Sequence, residues 1–182
     1  GIRDIQRIGQ DIRDYRGTNL KIVSMPSIAN TILPRVMKQF MQGYPEVMVT
    51  IEIRAYSDVE YWIASNQYDV GITALPIDNP SVSTEEFIDM NLIAAVPSKN
   101  KLVDHDEITF SDLAKETFIF LPDHLMLGHL TRIAFEKAGI EPKRSIIASS
   151  LSLACHMVAE GIGVTVTDPF TAQEVSGGRM VV

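Results

Sequence analysis

Between Leu20 and Tyr44 the chain reads LKIVSMPSIANTILPRVMKQFMQGY: a short β-rich run, a polar turn holding a proline, then a long segment with helical apolar spacing. This order leaves few folds open, because a buried strand that hands over directly to an amphipathic helix is the building block of α/β proteins. Gly17 and Pro26 bound a strand at Leu20 to Val23. Ile28, Ala29, Ile32, Leu33, Val36, Met37, Phe40 and Met41 then recur on one helical face, opposite Asn30, Arg35, Lys38 and Gln42. Pro34 lacks a backbone donor and predicts a kink or a restart, while Gly43 and Pro45 predict the stop. Ser27 is expected as the N-cap. The turn Ser24-Met25-Pro26-Ser27 puts two hydroxyls and several free amides where strand becomes helix, a place that can hold a small anion, although capping alone is the simpler role for Ser27.

The same logic continues down the chain. Val47, Val49, Ile51 and Ile53 alternate with Met48, Thr50, Glu52 and Arg54 and predict a second strand. Ser57 and Asp58 offer an N-cap to a short helix that turns Val59, Trp62 and Ile63 inward, and Tyr68 to Thr73 reads as a third strand. A β-α-β-α-β order makes a parallel sheet with right-handed crossovers the economical topology. Past a loop marked by Pro76, Asp78, Asn79 and Pro80, residues 87–97 read as extended. A second α/β half follows, with a helix start at Thr109 to Leu113 and strands at Thr117 to Leu121, Arg144 to Ala148 and Ile162 to Thr167. Helices are expected over Leu127 to Ala138 and Ser150 to Glu160. Two such halves predict two lobes with a cleft, lined by the turns after the strands: Ser24 to Ser27, Tyr56 to Asp58, Pro122 to His124, Ser149 and Ser150, and Thr167 and Asp168.

Before the first strand, Ile5, Ile8, Ile12 and Tyr15 alternate spacings of three and four among Arg and Asp. This is a heptad seam about two repeats long, suited either to a helix packed on its own domain or to the end of a longer connecting helix. The 182 residues, 46% of them hydrophobic and 21% charged, can bury a real core. No apolar run is long enough to span a bilayer. With 23 acidic and 16 basic side chains the formal net charge is −7, which argues against this chain wrapping nucleic acid by itself. One cysteine, Cys155, cannot form an internal disulfide, which fits a reducing compartment. The first residues lack the apolar run of a signal peptide.

Taken in order, LKIVSMPSIANTILPRVMKQFMQGYPEVMVTIEI, WIASNQYDVGITALP, NLIAAVPSKNKLV and SLSLACHMVAEGIGVTVTDP resemble the effector-binding domain of LysR-type transcriptional regulators, nearly continuously from residue 17 to 182. The resemblance implies two Rossmann-like lobes of the type 2 periplasmic-binding-protein fold. Lobe I would comprise residues 17–94 plus 168–182, and lobe II residues 95–167. Residues 1–16 resemble the tail of that family's linker helix. Family effector domains continue some tens of residues past Val182, so the C-terminal end of lobe I is expected to be truncated. The resemblance further implies a cytoplasmic dimer, a tetramer at full length, that touches DNA only through an N-terminal domain not included here. It implies a small effector bound between the lobes. WIASNQYDVGITALP and the serine-rich turns resemble the branch that senses diaminopimelate or the opines octopine and nopaline, which asks for a carboxylate site and a cation site.

The effector-binding residues expected on this basis are Ser24, Met25, Ser27, Ser57, Asp123, Ser149, Ser150 and Asp168. Ser24, Met25 and Ser27 match the turn where the family anchors an effector carboxylate, and Ser149 and Ser150 match its counterpart in the second half. Capping is the alternative role for Ser57, Ser149 and Ser150. Asp123 and Asp168 are candidates for an amino or guanidinium group through charge-assisted hydrogen bonds, with solvated loop acid or cap as the alternatives. An enzyme fits poorly, and no cofactor is implied. Cys155 and His156 are adjacent on a helix and diverge by about 100°, so they cannot pair as nucleophile and base. His124 and His129 are poorly spaced for a helical metal site, and Gly161-Ile162-Gly163 precedes a strand instead of opening a helix. A free-standing solute-binding protein for uptake is the competing reading from another class.

Overall fold

Strand β1 (Asn19–Ser24) forms where the β-rich run lies, and it is the middle of a three-stranded sheet. The computed structural model describes residues 19–178, 180 and 181; the heptad-like segment from Ile5 to Tyr15 lies outside them. Strands β2 (Met48–Ile53) and β3 (Val70–Ile72) flank β1 on either side, both parallel to it, in the order β2-β1-β3. The parallel pairing expected from the β-α-β-α-β order is therefore present, and it aligns the three carboxyl ends on one edge. Ser24 stands in register with Ile53 on one side and Ile72 on the other.

The predicted helix is two helices. α1 (Pro26–Thr31) and α2 (Leu33–Gly43) are separated at Ile32, with Pro34 in the first turn of α2. A proline ring at that point cannot continue an uninterrupted ladder but is well suited to starting a new one. Leu33 from α2 packs with Leu20 and Ile22 of β1, and Met37, Phe40, Val47 and Val49 close around them. α3 (Tyr56–Ala64) buries Val59.

The chain divides into two compact units, the first ending at Asp89 and the second beginning at Met90. In the second, β4 (Ile93–Pro97) lies between β7 (Thr165–Thr167) and β8 (Met180–Val181), antiparallel to both, and β5 (Thr117–Phe120) pairs parallel with β6 (Arg144–Ile147). A bridge between Phe118 and Val164 joins these pieces, with Ile119 N–H donating to the Val164 carbonyl at 2.8 Å and Val164 N–H donating to Thr117 at 2.9 Å. Its helices are α4 (Phe110–Leu113), α5 (Met126–Ala138), α6 (Leu151–Ala159) and α7 (Pro169–Ser176). Phe118, Phe120 and Phe135 pack on one side with Leu102 and Leu113, while Ile119, Ala154, Cys155, Val158 and Ala172 form a second core. α5 runs so close to the strand that feeds it that a Cβ on Gly128 would meet the carbonyl oxygens of Leu121 and Pro122. Gly139, left-handed at φ 64°, ends α5 as anticipated.

Three features depart from the sequence reading. The extended stretch over 87–97 contracts to β4, because only Ile93 to Pro97 find strand partners. The second unit's sheet is mixed instead of parallel. Residues 168–182, assigned from the sequence to the first lobe, are held in the second unit as far as they are described: β8 pairs with β4, and α7 packs on α6.

Candidate functional site

At the carboxyl edge of the first sheet the backbone is stitched tightly. Arg54 N–H donates to the Ser24 carbonyl at 3.1 Å, and Met25 N–H donates to the Ile72 carbonyl at 2.9 Å. Met25 precedes a proline, which confines it to extended backbone, and at φ −65°, ψ 150° it is the N-cap of α1. Pro26 fills the first helical position, so Ser27 sits one residue inside the helix and is not the cap. No side chain caps α1, and the amides of its first turn have no intrahelical acceptor. Ser24 is fully buried and turns its hydroxyl to the Met25 carbonyl at 3.1 Å, which assigns it to closing the turn. Met25 and Ser27 are half-buried, and the Ser27 carbonyl accepts from the Thr31 hydroxyl at 2.5 Å.

Ser57 also lies inside its helix. α3 starts at Tyr56 after the extended Ala55, and Asp58 N–H returns to the Ala55 carbonyl at 2.9 Å, so the cap falls two residues before Ser57. The exposed Ser57 hydroxyl reaches only its neighbour, donating to Asp58 Oδ1 at 3.4 Å.

In the second unit, Ser149 and Ser150 are exposed at the start of α6. Ser150 is its N-cap, its Oγ accepting from Leu153 N–H at 3.2 Å. Asp123 follows β5 and is exposed; its Oδ1 accepts from Arg132 Nε at 2.5 Å, while Arg132 lies 5.2 Å over the Phe120 ring. Among the described residues no protein donor engages its second oxygen. Asp168 is different, being only 6% exposed with both oxygens taken by Thr171, the amide and the hydroxyl each at 2.8 Å. It is the N-cap of α7. Cys155 is buried beside it, and burial pushes its thiol above the ordinary range. His156 is exposed, with Nδ1 2.7 Å from the Ser152 carbonyl, so the two side chains diverge. Among the described residues, no three His, Cys, Asp or Glu side chains gather to hold a metal, and no helix is long and apolar enough to cross a membrane.

Two residues at the first sheet's carboxyl edge were not anticipated. Thr73, just past β3, donates its hydroxyl to the Tyr56 carbonyl at 2.9 Å and so ties the end of β3 to the start of α3. Arg54, just past β2, pairs with Glu52 and lies 5.4 Å over the Trp62 ring. The signal was available, since Glu52 and Arg54 share one face of an alternating strand that must be covered by the helix carrying Trp62.

Residues 13–182 match the family described as the LysR substrate binding domain, and the chain belongs to that family. It is a ligand-binding family, not an enzymatic one. Among curated proteins, "Regulatory protein NocR" of Agrobacterium tumefaciens (strain T37) is 25% identical over 181 residues, an alignment that takes in 100% of this chain and 60% of that protein. The chain thus spans 60% of the length of that relative. Among solved structures, the "BenM effector binding domain with its effector benzoate" superposes with a TM-score of 0.73 at 20% identity, covering 89% of this chain and 74% of the other. The "effector binding domain of QuiR in complex with shikimate" gives 0.69 at 16%, covering 87% and 77%. These likenesses show the type 2 periplasmic-binding-protein-like fold.

Proposed function

We propose that this chain is the effector-sensing part of a LysR-type transcriptional regulator, active in the cytoplasm, and that its effector is a small amino-acid-like carboxylate of the opine or diamino-acid class. The observation that carries this reading is the family match over residues 13–182, joined to an α1 start whose first amides lack an intrahelical acceptor at the carboxyl edge of a parallel sheet. Such an edge is where ligands of α/β sheets bind, and a helix start favours an anion. The family match and the regulator name of the curated relative favour this over an uptake protein.

In this reading Ser27 and the first-turn amides of α1 hold the effector carboxylate, with Met25, whose own amide is taken by Ile72, lining the turn and Ser24 shaping it from beneath. Ser57 offers a further hydroxyl in the first unit, and Ser149 and Ser150 are the hydroxyls proposed as effector-binding in the second. Asp123, with one oxygen not engaged by Arg132, is the better acceptor for an ammonium or guanidinium than the doubly engaged Asp168. The bound effector favours one arrangement of the protein and passes that bias to DNA through a domain outside this chain. A homodimer, assembling further to a tetramer, provides the readout; exposed Ile51 on β2 and Ile147 on β6 are apolar surface suited to it.

The test is a thermal-shift screen of amino acids and opines, followed by calorimetry on the hits. Ser27→Ala should weaken the effector about tenfold, the value of one charge-assisted hydrogen bond, with little change in melting temperature. Unchanged affinity would remove Ser27 from the site.

A further inference from the structure

We propose that Arg54 is a carboxylate-binding residue of the effector site, a deepening of the reading above on which it rests. Three observations carry it. First, Arg54 sits at the ligand edge of the sheet, its own amide bonded to the Ser24 carbonyl, one strand away from the Met25 turn. Second, the guanidinium is already positioned. Its Nη1 is held by Glu52 Oε1 at 2.5 Å and by the Ile53 carbonyl at 3.1 Å, and its carbon lies 5.4 Å over the Trp62 ring, which packs edge-on to Tyr68. Third, these contacts engage Nη1 and one face only. Among the described residues no acceptor engages Nε or Nη2, and the side chain is 37% exposed.

That remaining edge is the one with which arginine grips a carboxylate through two parallel N–H···O bonds. A long side chain fixed at one nitrogen and one face loses less freedom when the other edge binds. Glu52 has two effects. It orients Arg54, and it offsets part of the positive charge, so the affinity for an anion is set by the Glu52–Arg54 pair together. Lysine at position 54 would keep the charge but not the fork.

Trp62 is the only tryptophan of the chain and lies directly under Arg54, so its fluorescence reads the site locally. The experiment titrates the protein with acetate and with octopine at constant ionic strength, using acetamide as the uncharged control. Trp62 emission should change saturably with both carboxylates and not with acetamide. Arg54→Gln should weaken both about tenfold or more, Arg54→Lys should fall between it and wild type, and Glu52→Gln should tighten acetate several-fold by removing the competing carboxylate. A purely structural Glu52–Arg54 pair predicts the opposite for Glu52→Gln, a loss or no change. If acetate gives no saturable response in the wild-type protein, the assignment is overturned whatever the effector is. If octopine or another screened effector binds Arg54→Gln with wild-type affinity by calorimetry, Arg54 is overturned and the effector reading stands. If acetate behaves as expected and no screened amino acid or opine binds, the Arg54 assignment stands and the effector class is what fails.

Discussion

The thiol of Cys155 donates to the hydroxyl of Thr167 over 3.4 Å, and Thr167 in turn donates to the Asp168 carbonyl at 3.1 Å, a short relay in which both side chains are fully buried. Burial, opposed by the Thr167 bond and reinforced by the nearby Asp168 charge, raises the thiol above its ordinary value of 9.0. The folded state therefore holds the Cys155 proton more tightly than the unfolded chain does. Its contribution is fully present below pH 9 and is lost as pH rises beyond it. Aromatic disulfide reagents at pH 8 should modify the native protein far more slowly than the urea-unfolded chain. Equal rates would mean that α6 opens readily.

Gly128 is required by contact. Gly128→Ala should lower stability by about 1–3 kcal/mol, the range for overpacking, read as a fall in the urea midpoint. Gly43→Ala is the control, because a Cβ there meets nothing within 4 Å. Equal effects would show that α5 can shift away from the Leu121 and Pro122 carbonyls.

Asp168 caps α7, and asparagine caps as well as aspartate does. Asp168→Asn should melt close to wild type, and Asp168→Ala should lose about 1–2 kcal/mol. Because both carboxylate oxygens already serve Thr171, Asp168→Asn should leave affinity for a cationic effector intact while Asp123→Asn weakens it. The reverse pattern in calorimetry would return the cation end to Asp168.

The capping box of α4 sets a limit at the acid side. Thr109 donates its hydroxyl to Asp112 at 2.6 Å, and Lys115 adds a bond at 2.9 Å. Together they hold the Asp112 carboxyl far below the ordinary 3.8. A depressed value means that this contribution is present above pH 3.8 and fades only as pH falls further toward the folded-state value. Thr109→Val should move the onset of acid unfolding upward; an unchanged onset would mean that α4 is held by Leu113 alone.

Ile147 is 66% exposed on β6. Ile147→Asp should convert dimers to monomers in sedimentation velocity and remove the concentration dependence of the melting temperature that dimerisation confers. A wild-type protein that stays monomeric at high concentration would count against dimerisation.

Local pattern carried most of the fold. The β-rich run before Pro26, the helix restart at Pro34 and the Gly139 stop were legible because each is decided within a few residues by backbone chemistry. What escaped was set by distant partners or by one-residue shifts. The Asp168-Pro169 step is a good helix start, yet no element was expected over α7. Ser27 and Ser57 satisfy the composition rule for a cap, but a proline at position 26 and an extended Ala55 moved both helix starts upstream. The candidate site was legible as a set of turns; the Arg54 and Trp62 pairing was also signalled by the alternation of β2, but it went unread because it joins a strand to the helix after it. Nor could composition show that Asp168 would be engaged on both oxygens.

The pairing of β4 with β7 and β8 has a consequence for how the molecule is made. The first sheet joins strands that follow one another closely, so its contacts can form while the ribosome is still adding residues. β4 is the first strand described in its unit, yet its partners are the last two among the described residues, so this sheet cannot close until the chain has been synthesised past Val181. During that interval the apolar run Ile93-Ala94-Ala95-Val96 waits with both edges open, the segment of the nascent chain where a chaperone would find the longest opportunity to bind.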